Sequence, residues 1–371
     1  MNTITPNDHD LFYRIALSRV EHIGPVSAQK LLQRFESPEA IFKASVKELS
    51  HVEGLGNARI KSIRKPIDEQ AVVKEIAFIK KHKITPCFWS DDAYPKRLKN
   101  CPDAPLMLFS KGNLLMPSGK NVAIVGTRKN TDYGSRMTEE LVDGLKDTDV
   151  NIISGLAYGI DAVAHRRAVQ CGLPTFAVLA HGLDRIYPPL HKSLAKDIII
   201  NGALITEYPS GTNPDRQNFP LRNRIVAGLS EVTVVVETGL KGGAIITAKL
   251  ATGYNREVAA FPGRVIDAGS AGCNYLVKTH IAQLITCADD LLDMMNWQQI
   301  THKKNVQAKL FTCLSTTEME IVNLLKDQDA MHIDELMIRS GKNNSTLAAL
   351  LLSLEFQNIV KSLPGKRYRL C

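Results

Sequence analysis

The sequence predicts an α/β protein: a parallel sheet covered by helices on both faces, preceded by a small helical module and followed by a winged helix-turn-helix. Three observations carry that prediction. Between about 80 and 295, short apolar runs alternate with helical patterns, as repeated βαβ units require. Before this stretch lie short helices separated by glycine turns, and after it come three helix patterns and a two-strand ribbon. The expected boundaries are 1–78 for the helical module, 79–297 for the sheet domain, 298–310 for a polar and basic linker, and 311–371 for the winged helix. A chain of 371 residues has room for such domains, each with its own core.

In the first segment, "HIGPVSAQKLL" (22–32) and "VEGLGNARIKSI" (52–63) form a weak repeat, in which Ile23-Gly24 and Leu55-Gly56 each precede an apolar-periodic helix. That is the shape of a helix-hairpin-helix, whose hairpin amides and helix N-terminus can hold a phosphate. A plain helical domain packed through Leu31, Leu32 and Ile60 fits equally well. In the second segment the expected strands are 122–126, 151–154, 175–180, 203–206, 232–236 and 257–261, with "ITPCFWS" and "LMLFS" as candidate edge strands ahead of them. In the last, "TTEMEIVNLL" begins with a capping signal, "HIDELMIRS" is a short amphipathic turn, "NSTLAALLLSLEFQ" is apolar on one side, and "IVKSLPGKRYRL" reads as a wing with a Pro-Gly turn. Such a module enters a DNA groove or docks a protein or a second copy. With Arg339 and Lys342 as the main cations near its expected second helix, both roles stay open.

Ligands of open parallel sheets bind outside the carboxyl ends of the strands, and the informative residues fall there. "NVAIVGTRKNTDYG" (121–134) runs from a buried strand into a turn at Gly126, but Thr127, Arg128 and Lys129 stand where a dinucleotide fingerprint needs more glycine. "NPDRQNFPLRNRIVAGLS" places Arg222 and Arg224 at the expected start of a helix, where each cation costs up to about 1 kcal/mol unless an anion answers it. Asp215 can answer one of Arg128, Arg216, Arg222 and Arg224, so a bound phosphate is expected, held in guanidinium forks. Phe219, inside this basic loop, either stacks a base or tucks beneath its own loop. "TGLKGGAIITAKLA" sets Gly242 and Gly243 before a helix beginning near Ala244, with Lys241 beside them, a second anion seat.

No nucleophile elbow, P-loop signature or metal-binding His-x-x-x-His occurs among these loops. His165, His181 and His191 are isolated, and Asp161 and Glu237 are expected to orient loops rather than to act as acid and base. The expectation is a non-catalytic phosphate-binding cleft with no cofactor and no metal. Lys plus Arg number 46 against 38 Asp plus Glu, a net charge of +8 that favours a polyanionic partner. The seven cysteines form no Cys-x-x-Cys pair, the N-terminus lacks the features of a signal peptide, and no apolar run reaches the ~18 residues of a membrane span. A cytoplasmic setting without membrane contact is therefore expected.

Taken together, "VAIVGTRKNTDYG", "ISGLAYGIDAVAH", "FPLRNRIVAGLS", "VVVETGLKGGAIITAKLATGYNREVAAFPG" and "AGCNYLV" resemble, in order, the signature blocks of the DNA-processing protein A family (DprA, also called Smf). The resemblance implies an extended Rossmann core that binds single-stranded DNA, pairs as a homodimer, and loads the RecA recombinase during natural transformation, flanked by a sterile-alpha-motif-like helical domain and a winged helix. By motif it assigns the strand to Gly126, Thr127 and Arg128 and to Arg222, Asn223 and Arg224, with Arg216 and Phe219 as the family's cation and base-stacking ring. Tyr158 stands where many relatives have Arg, and "LVKTHIAQLI" lacks the Gly-Ala usual near the end of the core. The other reading is a small-nucleotide sensor or a phosphoribohydrolase of the kind that releases cytokinin bases, which "ETGLKGGAIITA" echoes without the full glycine spacing. A transcriptional regulator would need base-reading side chains that the winged segment does not display.

Overall fold

In the segment Lys120–Val125, Val122 and Ile124 pack with Met137, Leu141, Ile152 and Val234, whereas Ala123 and Val125 pack with Ile153, Val178, Ile225 and Val235. Residues two apart share a face of a strand, so the two clusters cover opposite faces of one sheet. Residues 122–125 are apolar throughout because neither face meets water there.

The computed structural model describes residues 6–114, 120–297, 315–326, 330–357, 359–363 and 365–370. The linker expected at 298–310 and Pro364 of the expected wing turn lie outside the described residues. Two compact units are present, 1–300 and 301–371.

Six helices open the first unit: α1 (Pro6–Ser18), α2 (Pro25–Arg34), α3 (Pro38–Lys43), α4 (Val46–Ser50), α5 (Asn57–Arg64) and α6 (Glu69–His82). The repeat is tighter than the quoted segments suggest. Val20-Glu21-His22-Ile23-Gly24 and Val52-Glu53-Gly54-Leu55-Gly56 match position for position. Both place their third residue at positive φ, 63° at His22 and 78° at Gly54, and both end on a glycine that caps the next helix without a side-chain bond. Ile23 and Leu55 are buried among Ile15, Leu31, Ile41, Leu49 and Ile60, a core that runs on into Phe88, Met107 and Phe109 of the sheet's edge.

The sheet contains β1 (Thr85–Phe88), β2 (Met107–Gly112), β3 (Lys120–Val125), β4 (Val150–Ser154), β5 (Thr175–Val178), β6 (Gly202–Thr206), β7 (Val232–Val235), β8 (Glu257–Ala260) and β9 (Gln283–Leu284), in the order β1-β2-β6-β5-β4-β3-β7-β8-β9. Each expected strand is present. The candidate edge strands are β1 and β2; β1 pairs antiparallel with β2 and β2 antiparallel with β6, while the remaining pairs are parallel. Helices α8 (Asp132–Gly144), α9 (Ile160–Cys171), α10 (Lys192–Ile200), α11 (Asn218–Leu229), α12 (Gly243–Gly253), α13 (Ala271–Lys278) and α14 (Ala288–Met294) complete the layers, with the one-turn α7 (Lys96–Lys99) between β1 and β2. The chain adds strands outward from β3 on one side through β4, β5 and β6, then returns to add β7 and β8 on the other. The crevice between β3 and β7 is therefore the switch point at which such sheets hold ligands.

The second unit has α15 (Thr316–Leu325), α16 (Ile333–Ser340) and α17 (Asn344–Phe356), with β10 (Met331–His332), β11 (Val360–Leu363) and β12 (Arg367–Leu370) in the order β10-β12-β11. The capping signal holds: Ser315 accepts the Glu318 amide while the Glu318 carboxylate accepts the Ser315 amide. Ile321, Leu325, Leu336, Leu347, Leu351 and Leu354 form its core. Arg339 pairs with Glu335 and Lys342 with Glu320, and α17 itself carries no lysine or arginine.

Candidate nucleic-acid interface

The turn after β3 is pinned from both sides. A Cβ on Gly126 would stand 2.5 Å from Ile160 and 2.9 Å from the Glu237 carbonyl, so only glycine lets the chain pass between the loops that follow β4 and β7. Thr127 N–H donates to the Glu237 carbonyl at 2.7 Å, Ile160 N–H to the Thr127 carbonyl at 3.2 Å, and Thr131 N–H to Glu237 Oε2 at 2.9 Å. Lys129 N–H closes the turn on Thr127 Oγ1 at 3.2 Å. Arg128 crowns this framework, exposed, with no ion pair among the described residues.

Its guanidinium carbon lies 4.8 Å from the centre of the Phe219 ring, within the range in which a cation is attracted by an aromatic face. Phe219 lies 6.1 Å, ring to ring, from Tyr187. Arg128, Phe219, Tyr187 and Tyr158 ring a shallow hollow whose floor includes Gly155, Leu156 and Leu179. Tyr158 and Tyr187 are each 41% exposed. The sequence drew attention to Phe219 and Tyr158; Tyr187 it placed in a loop at the right strand end without assigning it a part. What fixes Tyr187 is His181, whose Nδ1–H donates to the Gly182 carbonyl at 2.9 Å and whose Nε2 accepts the Tyr187 amide at 3.3 Å. Burial lowers the basicity of this imidazole, in keeping with one nitrogen that donates and one that accepts.

Phe219 sits on α11, preceded by the loop 207–217. That loop is fastened by two carboxylates distant in sequence. Glu75 of α6, 4% exposed, accepts the Ser210 amide at 3.0 Å and its hydroxyl at 2.5 Å. Asp184 accepts the Gly211 amide at 2.8 Å. Arg216 is exposed on the same loop, without an ion pair among the described residues.

Arg222 and Arg224 differ from the expectation. Helix α11 begins at Asn218, so both arginines lie a turn inside it rather than at its start, and the cost argued from the helix terminus does not apply. Two residues apart on a helix, they also point about 200° apart. Arg224 is 9% exposed, paired with Glu207, and donates to the Asp103 carbonyl; Asp103 in turn accepts the Tyr254 hydroxyl at 2.7 Å. Arg222 is 4% exposed beneath the hollow, donating to the Val178 carbonyl in space left by the missing side chain of Gly155, with Asp161 as its opposing charge. Burial pushes the Asp161 carboxyl up, and Arg222 opposes that shift. The correction is electrostatic. Glu207 and Asp161, rather than Asp215, answer these two cations, and as placed both side chains brace the site from within. Asn223 between them is partly exposed, its amide 3.5 Å from the Gly243 carbonyl, linking α11 to the start of α12. Lys241 is exposed on the loop after β7, Gly242 caps α12 without a side-chain bond, and Gly243, the first residue of α12, is exposed. The structure thus brings Arg128 and Phe219 into contact, sets Arg222 below them, and places Arg216 and Lys241 on neighbouring loops, with Asn223 on α11, at the same edge.

His165, fully buried on α9, binds Thr175 Oγ1 at 2.7 Å, and burial followed by the charges of Arg222 and His191 lowers its pKa to about 3. Since the unfolded imidazole titrates near 6.5, the unfolded state takes up a proton that the folded state refuses as pH drops from 6.5 toward 3. Stability from this residue then falls by about 1 kcal/mol per pH unit across that window. Urea midpoints measured at pH 7 and pH 5 are expected to differ less for His165→Asn than for the parent.

Comparison with known proteins accords with this architecture. Residues 85–296 match the family described as DNA recombination-mediator protein A, residues 15–67 a SAM-like helix-hairpin-helix tandem, and residues 312–366 the DprA winged helix domain. The chain belongs to the DprA/Smf family. Protein Smf of Synechocystis is 39% identical over 96% of this chain and 98% of its own length. DNA processing protein DprA of Streptococcus pneumoniae is 40% identical over 54% of this chain and 71% of its own. The X-ray structure of the Streptococcus pneumoniae protein superposes with a TM-score of 0.66 at 32% identity, covering 76% of this chain and 97% of that one. A Helicobacter pylori family structure, solved for its single-stranded DNA binding mode, superposes with a TM-score of 0.53 at 29% identity, covering 58% of this chain and 96% of that one. The extended Rossmann-like core, helix-hairpin-helix module and winged helix implied by the resemblance are thereby the fold of this family member. Among the described residues, no helix is long and apolar enough to cross a membrane.

Proposed function

We propose that the chain binds single-stranded DNA across the C-terminal edge of its sheet. The observation that carries this reading is the exposed guanidinium of Arg128 lying 4.8 Å from the Phe219 ring centre, with Tyr187 and Tyr158 around the same hollow. An unpaired strand offers a phosphate and a base in close succession, and a cation beside a ring meets both. A duplex keeps its bases stacked inside and has no use for the rings. Gly126 and Thr127 hold Arg128 in place; Arg216 and Lys241 extend the phosphate track; Asn223, Gly242 and Gly243 shape the adjoining loop; Arg222 and Arg224 support the platform from below. The family relationship, with a relative solved for its single-stranded DNA binding mode, supports this assignment.

The same relationship supports the finer role: a DNA-processing protein that acts as a homodimer in the cytoplasm and loads RecA onto single strands in natural transformation, with the site working by binding rather than catalysis. Histidines 165 and 181 are buried with structural partners, which suits that role. Titrating labelled oligo-dT in competition with duplex DNA and with AMP tests the reading. Oligo-dT is expected to be displaced poorly by either competitor. Displacement by AMP at comparable concentration would point instead to the small-nucleotide reading.

A further inference from the structure

The turn that carries Arg128 continues into a second hollow. Thr131 and Tyr133, at the start of α8, form one wall of a cavity of about 930 Å³; the chain after β8, with Arg264 and Ile266, forms the other, and Glu237 and Ser270 also line it. Glu237 follows β7 at the switch point. It is 3% exposed, and no ion pair among the described residues neutralises it. One of its oxygens accepts the Thr131 amide at 2.9 Å. An ionised carboxylate has roughly four acceptor positions and no donor, so acceptor capacity remains for whatever occupies the cavity.

The walls are unlike the floor. Ile266 is 88% exposed, and Tyr133, 42% exposed, is anchored by its hydroxyl donating to the Pro262 carbonyl at 2.6 Å. Arg264 lies among the same lining residues, exposed. A tyrosine ring and an isoleucine side chain in the walls, an acceptor at the base and a cation at the side suit a flat heterocycle that presents N–H donors and carries a phosphate. We propose that this cavity takes one unpaired base of the bound strand, guanine by preference, with the ring N1–H and the exocyclic amino group donating to the Glu237 carboxylate. Guanine alone offers two adjacent donors on that edge. Cytosine and adenine place a ring acceptor beside their amino group, which the carboxylate repels, and thymine offers a single N–H between two carbonyls.

The proposal rests on the strand-binding reading, because the turn after β3 reaches both hollows, with Arg128 lining the first and Thr131 and Tyr133 the second, and a strand crossing Arg128 passes from one to the other. The test compares the full-length protein's affinity for oligo-dT, for the same oligomer with one central dG, and for free GMP. A good bidentate pair discriminates by about tenfold or more, and that preference for the dG oligomer is expected. Glu237→Gln keeps an acceptor for Thr131 but loses the second, and the dG-to-dT affinity ratio is expected to fall toward one. Ile266→Asp, on the exposed lip, is expected to lower the ratio without touching the carboxylate. Equal binding of both oligomers by the parent overturns the base pocket while leaving strand binding intact, as does a ratio unmoved in both variants. GMP competing as well as the dG oligomer overturns it in favour of a free nucleotide. Binding of neither oligomer removes the strand-binding reading itself, and this proposal with it.

Discussion

Arg224→Ala is expected to destabilise the first unit by about 3–5 kcal/mol, the cost of removing one member of a buried ion pair. The side chain spans α11 to Glu207 and to the Asp103 carbonyl. Its removal strands a carboxylate whose Oε1 already lacks a partner. Chemical denaturation followed by circular dichroism reads the change as a lowered midpoint. Arg224→Met combined with Glu207→Leu removes both charges and is expected to recover most of the loss, since an apolar pair of similar volume often matches a buried salt bridge. Should Arg224→Ala instead keep the parent's midpoint and lose DNA, Arg224 would be a phosphate ligand, as the sequence alone suggests.

The second large effect concerns the pair formed by exposed Arg128 and half-buried Phe219. Phe219→Ala removes a stacking surface worth about 1–3 kcal/mol per base, so affinity for oligo-dT is expected to fall five-fold or more at every salt concentration, on the order set by that range. Arg128→Ala removes a charge, and its effect is expected to grow as salt is lowered. The two substitutions separate stacking from charge neutralisation at one contact, and neither side chain belongs to the core.

The sequence conveyed the scaffold because its signals are local. The continuous apolar run in 122–125, the Ser315 and Glu318 capping box and the glycines at 24 and 56 each act within a few residues. The arginines show where locality fails. Pro220 reads as a helix boundary, but proline is tolerated in a first helical turn, and α11 begins at Asn218. Glu207 lies 17 residues from Arg224 and Asp161 much farther from Arg222, so no spacing rule pairs them. Glu75 carries a usable signal of its own. An acid flanked by Val72, Ile76 and Ile79 on the buried side of α6 must find donors inside the protein, and those donors are at Ser210, 135 positions away. Arg128 and Phe219 were legible as residues. Their contact was not, because it joins the loop after β3 to the helix after β6, and strand order alone brings those ends together.

The central claim is that Arg128, without an ion pair among the described residues and set against Phe219, neutralises a phosphate of a single strand. The most direct measurement is the slope of log affinity for oligo-dT against log salt, taken for the parent and for Arg128→Ala. The account predicts a linear fall for the parent and a slope shallower by about 0.7 for the variant, the value of one single-strand phosphate contact. Identical slopes for the two proteins would contradict it.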